Sequence, residues 1–112
     1  MPEHLTIGLD KVIHQKARLG VMSILAAADP VDFNELKRRL KMTDGNLSTH
    51  LGLLEREGYI EIEKTFVQKK PRTRCRLTTK GRAAFQAYVE RLEAVIHALP
   101  PETKSDGKRR PT

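Results

Sequence analysis

Hydrophobic positions recur along this chain with two different periods, and the change between them falls at Tyr59. Val12, Ile13, Ala17, Val21, Ile24, Leu25 and Ala28 return at helical spacing, which predicts a first helix that starts at Asp10 and stops at Asp29-Pro30. Val31 belongs to a short strand. A second helix is expected over Phe33 to Leu40, burying Phe33, Leu36 and Leu40, with Asp32 as N-cap and Glu35 at capping-box spacing. Lys41-Met42 turns the chain. Thr43 and Asp44 then cap a third helix running to about Arg56, and Gly58 ends it.

From Tyr59 the period drops to two. In Tyr59-Ile60-Glu61-Ile62-Glu63 the isoleucines alternate with acids, giving a strand with one buried and one wet face. Lys69-Lys70-Pro71-Arg72 is the expected turn. Arg74 to Leu77 returns as the second strand with Cys75 and Leu77 inward, and Thr78-Thr79 opens a last helix reaching about Leu99, before Pro100-Pro101. The order is helix, helix, helix, hairpin, helix: a mainly α chain with a small β-hairpin (α+β), in which the second and third helices form a helix-turn-helix. One domain over residues 9–99 is expected, between a lead-in at 1–8 (Leu5 and Ile7 as anchor points) and a polar basic tail at 100–112 that has no means of burying itself.

Charge adds a surface to this plan. The 112 residues carry a formal net charge of +7, yet Lys64 to Arg82 alone holds eight lysines and arginines and no acid. Phe66, Val67, Cys75 and Leu77 are threaded through the run, so it is a folded basic hairpin and not a low-complexity tail. Salt-dependent attraction to nucleic-acid phosphates is the usual physical use of such a surface. An anionic membrane or acidic proteins are the other partners such a charge allows, and no apolar run approaches the ~20 residues of a membrane span. The opening MPEHLTIGLD lacks the plan of a signal peptide, and the single cysteine cannot form an internal disulfide. Both point to the cytoplasm. Five aromatics and no tryptophan weigh against a base-stacking single-strand binder and leave duplex binding open.

The third helix shows two faces. Leu47, Leu51 and Leu54 make a core stripe with His50 on its flank, while Gly45, Thr49, Gly52 and Arg56 lie opposite, flanked by Asn46 and Ser48. Such a face fits either an ordinary surface helix or one that brings its first turns close to base edges in a major groove. Its two glycines favour the second, because a helix-interior glycine costs ~1 kcal/mol against alanine and close backbone approach would explain that cost. Asn46, Ser48 and Thr49 can donate to or accept from bases and phosphates.

The segments RLGVMSIL, FNELKRRLKMTDGNLSTHLGLLEREGYIE and KPRTRCRLTTKGRAAFQAY, in this order and at these distances, resemble the MarR and ArsR superfamily of winged-helix regulators. Within it, the chain is most similar to the small stand-alone winged helix DNA-binding domain branch, over about Leu9 to Leu92. The resemblance implies a winged helix-turn-helix with a C-terminal dimerisation helix (about 79–99), acting as a homodimer on a pseudo-palindromic duplex. The recognition helix (about 43–56) would enter the major groove, and the basic wing (about 64–76) would lie on the minor groove and phosphates. Carried over by position, Thr43, Asn46, Ser48 and Thr49 are the groove-facing residues of the helix, and Lys69, Lys70, Arg72 and Arg74 those of the wing. His50 matches an inner-flank, structural position. The ArsR-type cysteine-rich metal motif is missing, so metal sensing is not inherited.

The remaining chemistry is sparse. His4, His14, His50 and His97 lack ligand spacing, which argues against a metal site, and no cofactor is implied. Cys75, expected inward, reads as packing; only the neighbouring Arg74 and Arg76 keep a redox role open. In the last helix Phe85, Tyr88, Leu92, Val95, Ile96 and Leu99 form an apolar stripe longer than three short helices can cover, so a second copy of the chain is the expected partner. A phosphate loop, an activated nucleophile and a site-like carboxylate pair are all absent, which argues against an enzyme. Two rivals remain: a sequence-tolerant architectural DNA coater, and a winged-helix protein-interaction module. The sequence leaves any small-molecule effector open.

Overall fold

The apolar stripes of three helices and a sheet meet in one core. The computed structural model describes residues 8–98. Their elements are α1 (Lys16–Ala27), β1 (Val31–Asp32), α2 (Phe33–Leu40), α3 (Asp44–Arg56), β2 (Ile60–Val67), β3 (Lys70–Leu77) and α4 (Thr79–His97). Fully buried side chains come from the N-terminal segment and α1 (Ile13, Val21, Met22, Leu25), α2 (Leu36) and α3 (Leu47, Leu51, Leu54). Burying each is worth roughly 1.5–3 kcal/mol. The sheet has the antiparallel order β1-β3-β2. Its pairs Ile60–Leu77 and Ile62–Cys75 share the inner face, and Glu61–Arg76 and Glu63–Arg74 the outer one.

Several local expectations need correction. The first helix begins at Lys16, not Asp10, with the Gln15 side chain accepting from the Arg18 amide. Asp10 caps only an isolated turn, where its Oδ1 accepts from the amides of Val12 (2.8 Å) and Ile13 (3.2 Å). Its other oxygen is taken by the Tyr59 hydroxyl, so a tertiary contact claims the carboxylate. The capping box of α2 does not form: Asp32 occupies the N-cap without a side-chain bond, and its carboxylate accepts from Arg72 Nε at 3.2 Å. Glu35 pairs instead with Arg38 and Arg39.

The hairpin turn is Gln68-Lys69, with φ of 53° and 68°, and not the Lys69–Arg72 segment. Two consecutive left-handed residues make the tight turn whose twist matches the strands. Pro71 is tolerated inside β3 because it sits opposite Phe66 beyond the reach of β1, whose pairing is limited to Cys75 and Arg74.

The start of α4 is clamped to the corner between α3 and β2. Thr78 donates its hydroxyl to the Gly58 carbonyl (2.6 Å) and accepts the Gly81 amide (2.9 Å), while its own amide donates to the Tyr59 carbonyl at 3.0 Å. Lys80 donates to the Glu57 carbonyl at 2.8 Å, and its ammonium stands 5.6 Å from the centre of the Tyr59 ring. Gly58 turns this corner at φ +84°. At Gly81 a Cβ would lie 1.9 Å from the Tyr59 carbonyl oxygen, so only glycine fits. The Leu77–Arg82 segment is thus a structural joint between the third and last helices.

Candidate nucleic-acid interface

The outward face of α3 is built from its cap upward. Thr43 accepts the Asn46 amide on its hydroxyl oxygen at 3.1 Å, which fixes where the helix begins. Asn46 and Ser48 are exposed, and their side chains make no hydrogen bond among the described residues. Thr49, also exposed, donates its hydroxyl to the Gly45 carbonyl at 3.0 Å, leaving an oxygen acceptor and a methyl group facing outward. A Cβ on Gly45 or Gly52 would meet nothing within 4 Å, so neither glycine is required by packing inside the protomer. Gly52→Ala is therefore expected to stabilise the fold by ~0.5–1 kcal/mol in thermal unfolding while weakening duplex binding in the same preparation. A gain in both would remove the close-approach explanation of this glycine.

Behind that face, Arg18 ties α1 to α3, its guanidinium standing 3.1 Å from His50 Nδ1. Arginine only donates, so Nδ1 accepts and the ring proton sits on Nε2. Burial, and secondarily the Arg18 charge, hold His50 below the ordinary histidine range. Its position is structural.

The wing separates its cations by face. Arg72 and Arg74 lie on the outer face and are ion-paired, Arg72 to Asp32 (3.2 Å) and Arg74 to Glu63 (3.0 Å). Exposed pairs of this kind are worth little and exchange partners readily. Lys69 and Lys70 at the tip make no ion pair among the described residues and are exposed. Downstream, Arg82 pairs with Asp29 at 3.1 Å, so the acid-free run is partly neutralised by acids from elsewhere in the chain.

Lys64, which the sequence placed at the start of the wing but not among its DNA contacts, is on the inner face and shares a shallow groove with Ser48, Gly52, Glu55 and Thr73. The strand alternation could have found it, since 60, 62 and 64 lie on one face. Lys41, exposed at φ 55° just before the cap of α3, was also missed.

The apolar stripe of α4 is divided. Tyr88 and Val95 are buried within the protomer (2% and 5% exposed), so they are not available to a second subunit as the sequence suggested. The Tyr88 hydroxyl lies 2.7 Å from His14 Nδ1, which explains its inward orientation. Phe85 and Leu92 are partly buried against the core, and Val89 and Ile96 are exposed. Leu99 falls outside the described residues. Cys75 is buried, and desolvation, with Glu55 and Asp32 adding to it, pushes its thiol up to about 11. That is the opposite of a reactive thiolate.

Residues 17–96 match the family of winged helix DNA-binding domains. The chain belongs to this family. It is 35% identical over 79 residues to an uncharacterized protein of Methanocaldococcus jannaschii, covering 70% of this chain and 86% of that protein. Its fold is similar to the transcriptional regulator homologue of Pyrococcus horikoshii, with a TM-score of 0.75 and 27% identity over 85% of this chain and 92% of the other. It also resembles a MarR-family transcriptional regulator of Silicibacter pomeroyi, with a TM-score of 0.63 and 19% identity over 93% and 72% of the two chains. The domain is thus a winged helix of a DNA-binding family, and it shares its fold with a transcriptional regulator homologue. Among the described residues no helix is long and apolar enough to cross a membrane.

Proposed function

We propose that this winged-helix domain is a sequence-specific, homodimeric transcriptional regulator of the cytoplasm. The observation that carries the reading is the outward half of α3, where Asn46, Ser48 and Thr49 stand exposed around two glycines at which a Cβ would meet nothing within 4 Å among the described residues. In the major groove these small polar groups reach base edges, and Thr43 at the cap reaches phosphate. Lys69 and Lys70 are the wing's phosphate contacts, and Arg72 and Arg74 join them by exchanging Asp32 and Glu63 for DNA oxygens. Glu55, further along α3, is repelled by phosphates and confines contact to the first turns. Phe85, Val89, Leu92 and Ile96 supply the dimer contact along α4, and two copies place two recognition helices on one face of the duplex.

Binding of the wild-type chain to a duplex enriched from a random pool, and to bulk random duplex, separates the regulator from an architectural DNA coater. A regulator keeps a preference of at least ~10³-fold when salt is raised, because base contacts release no counterions. Equal affinity for the two duplexes at every salt concentration would make it a coater.

A further inference from the structure

We propose that Phe66 is a minor-groove wedge, an apolar ring that the wing carries against the base pairs of the duplex held by α3. The inference rests on the DNA-binding reading and specifies a contact within it. On the inner face of β2, positions 60, 62, 64 and 66 read Ile, Ile, Lys and Phe, and the ring of Phe66 is 73% exposed against 2% for Ile60. The core ends at the Ile62–Cys75 pair; Phe66 lies beyond it and packs into no part of it. Val67 beside it is 45% exposed, so the apolar surface is concentrated at the tip of the wing.

The occupant follows from charge and placement. Residues 64–72 carry Lys64, Lys69, Lys70 and Arg72 and no acid, so the wing around Phe66 is basic, with Lys64 on the same face as the ring. A second copy carries the same cations at the same place, and wing-to-wing contact is therefore repelled. Lys64, one inner-face position before Phe66, lines a common groove with Ser48, Gly52 and Glu55 of α3, and its ammonium offsets that single acid. A duplex lying on the exposed face of α3 is accordingly on the Phe66 side of the hairpin. Pro71 is the cross-strand partner of Phe66, and the two-residue turn keeps the tip narrow. An aromatic ring entered edge-on fits a minor groove about 6 Å wide, and partial unstacking is easiest at pyrimidine–purine steps. Phe66 thus adds a sequence preference at base pairs that α3 never touches.

The test compares Phe66→Ala with Lys70→Ala on a duplex enriched by the wild-type chain from a random pool, with 2-aminopurine at the steps flanking the α3 footprint. Wild-type binding should raise the 2-aminopurine emission at one such step. Phe66→Ala should abolish that rise and weaken binding about tenfold with the salt slope unchanged, whereas Lys70→Ala should keep the rise and lower the slope by about one. Unchanged affinity and emission in Phe66→Ala would overturn the wedge while leaving the DNA-binding reading intact. So would loss of self-association in sedimentation without loss of duplex binding, which would assign the ring to a second copy. A wild-type chain that enriches no duplex would instead overturn the DNA-binding reading, and the wedge with it. With its side chain largely in solvent, Phe66→Ala should melt like the wild type.

Discussion

Gly81→Ala should destabilise the domain by about 3 kcal/mol or more, the upper range of steric overpacking. The added methyl carbon would stand 1.9 Å from the Tyr59 carbonyl oxygen and 2.7 Å from its carbon. Neither atom can swing aside as a side-chain tip can, because that carbonyl also accepts the Thr78 amide at 3.0 Å. The first turn of α4 must therefore lift off the corner, breaking the Thr78 and Lys80 bonds to Gly58 and Glu57. For a domain of this size the loss corresponds to a melting temperature lower by on the order of 15 °C, read in a thermal scan. Functionally, the joint fixes the angle between α4 and α3, the proposed dimer and recognition helices. Any folded Gly81→Ala should accordingly lose affinity for paired half-sites more than for one half-site. A melting temperature within about 2 °C of wild type would show that the corner yields.

Asn46→Ala should collapse discrimination between DNA sites without removing DNA affinity. The Asn46 amide side chain is exposed, has no hydrogen-bond partner among the described residues, and offers the bidentate donor–acceptor pair that matches adenine. Its removal should cut the preference for the selected duplex over a variant changed at the contacted base pair by about 1–3 kcal/mol, roughly 5- to 150-fold. Affinity for random duplex should barely change. Lys70→Ala should do the reverse, weakening all duplexes together and reducing the slope of log K against log salt by about 0.9. Competition binding at two salt concentrations reads both. Equal, sequence-blind losses in the two variants would end the assignment of base reading to α3 and phosphate binding to the wing.

Elements with a strong local signature were legible in the sequence. The Phe33–Leu40 helix, the Thr43 cap and the strand alternation with Cys75 and Leu77 inward all stand where the pattern placed them. The misses share one cause. Asp10, Asp32 and Glu35 are good capping residues by type, but their carboxylates are claimed by Tyr59, Arg72 and the pair Arg38 and Arg39. Tyr59 and Arg72 are distant in sequence, so no local spacing reports those two contacts, whereas Glu35 follows arginines three and four residues on along its own helix. The hairpin turn was misplaced for a related reason: a Lys-Lys-Pro-Arg run looks like a turn, yet cross-strand pairing put Pro71 inside β3.

The sequence by itself determined the winged-helix plan, the family and the basic wing, because hydrophobic periodicity and net charge are properties of order along the chain. Only the tertiary structure decided which of those charges remain available. It paired Arg72, Arg74 and Arg82 with acids remote or across a strand, drew Lys80 into the α4 joint, and left Lys64, Lys69 and Lys70 around an exposed Phe66. It also turned Tyr88 and Val95 inward, leaving Val89 and Ile96 on the surface of α4. Pairing and burial depend on separation in space, which folding sets between residues that the sequence keeps far apart.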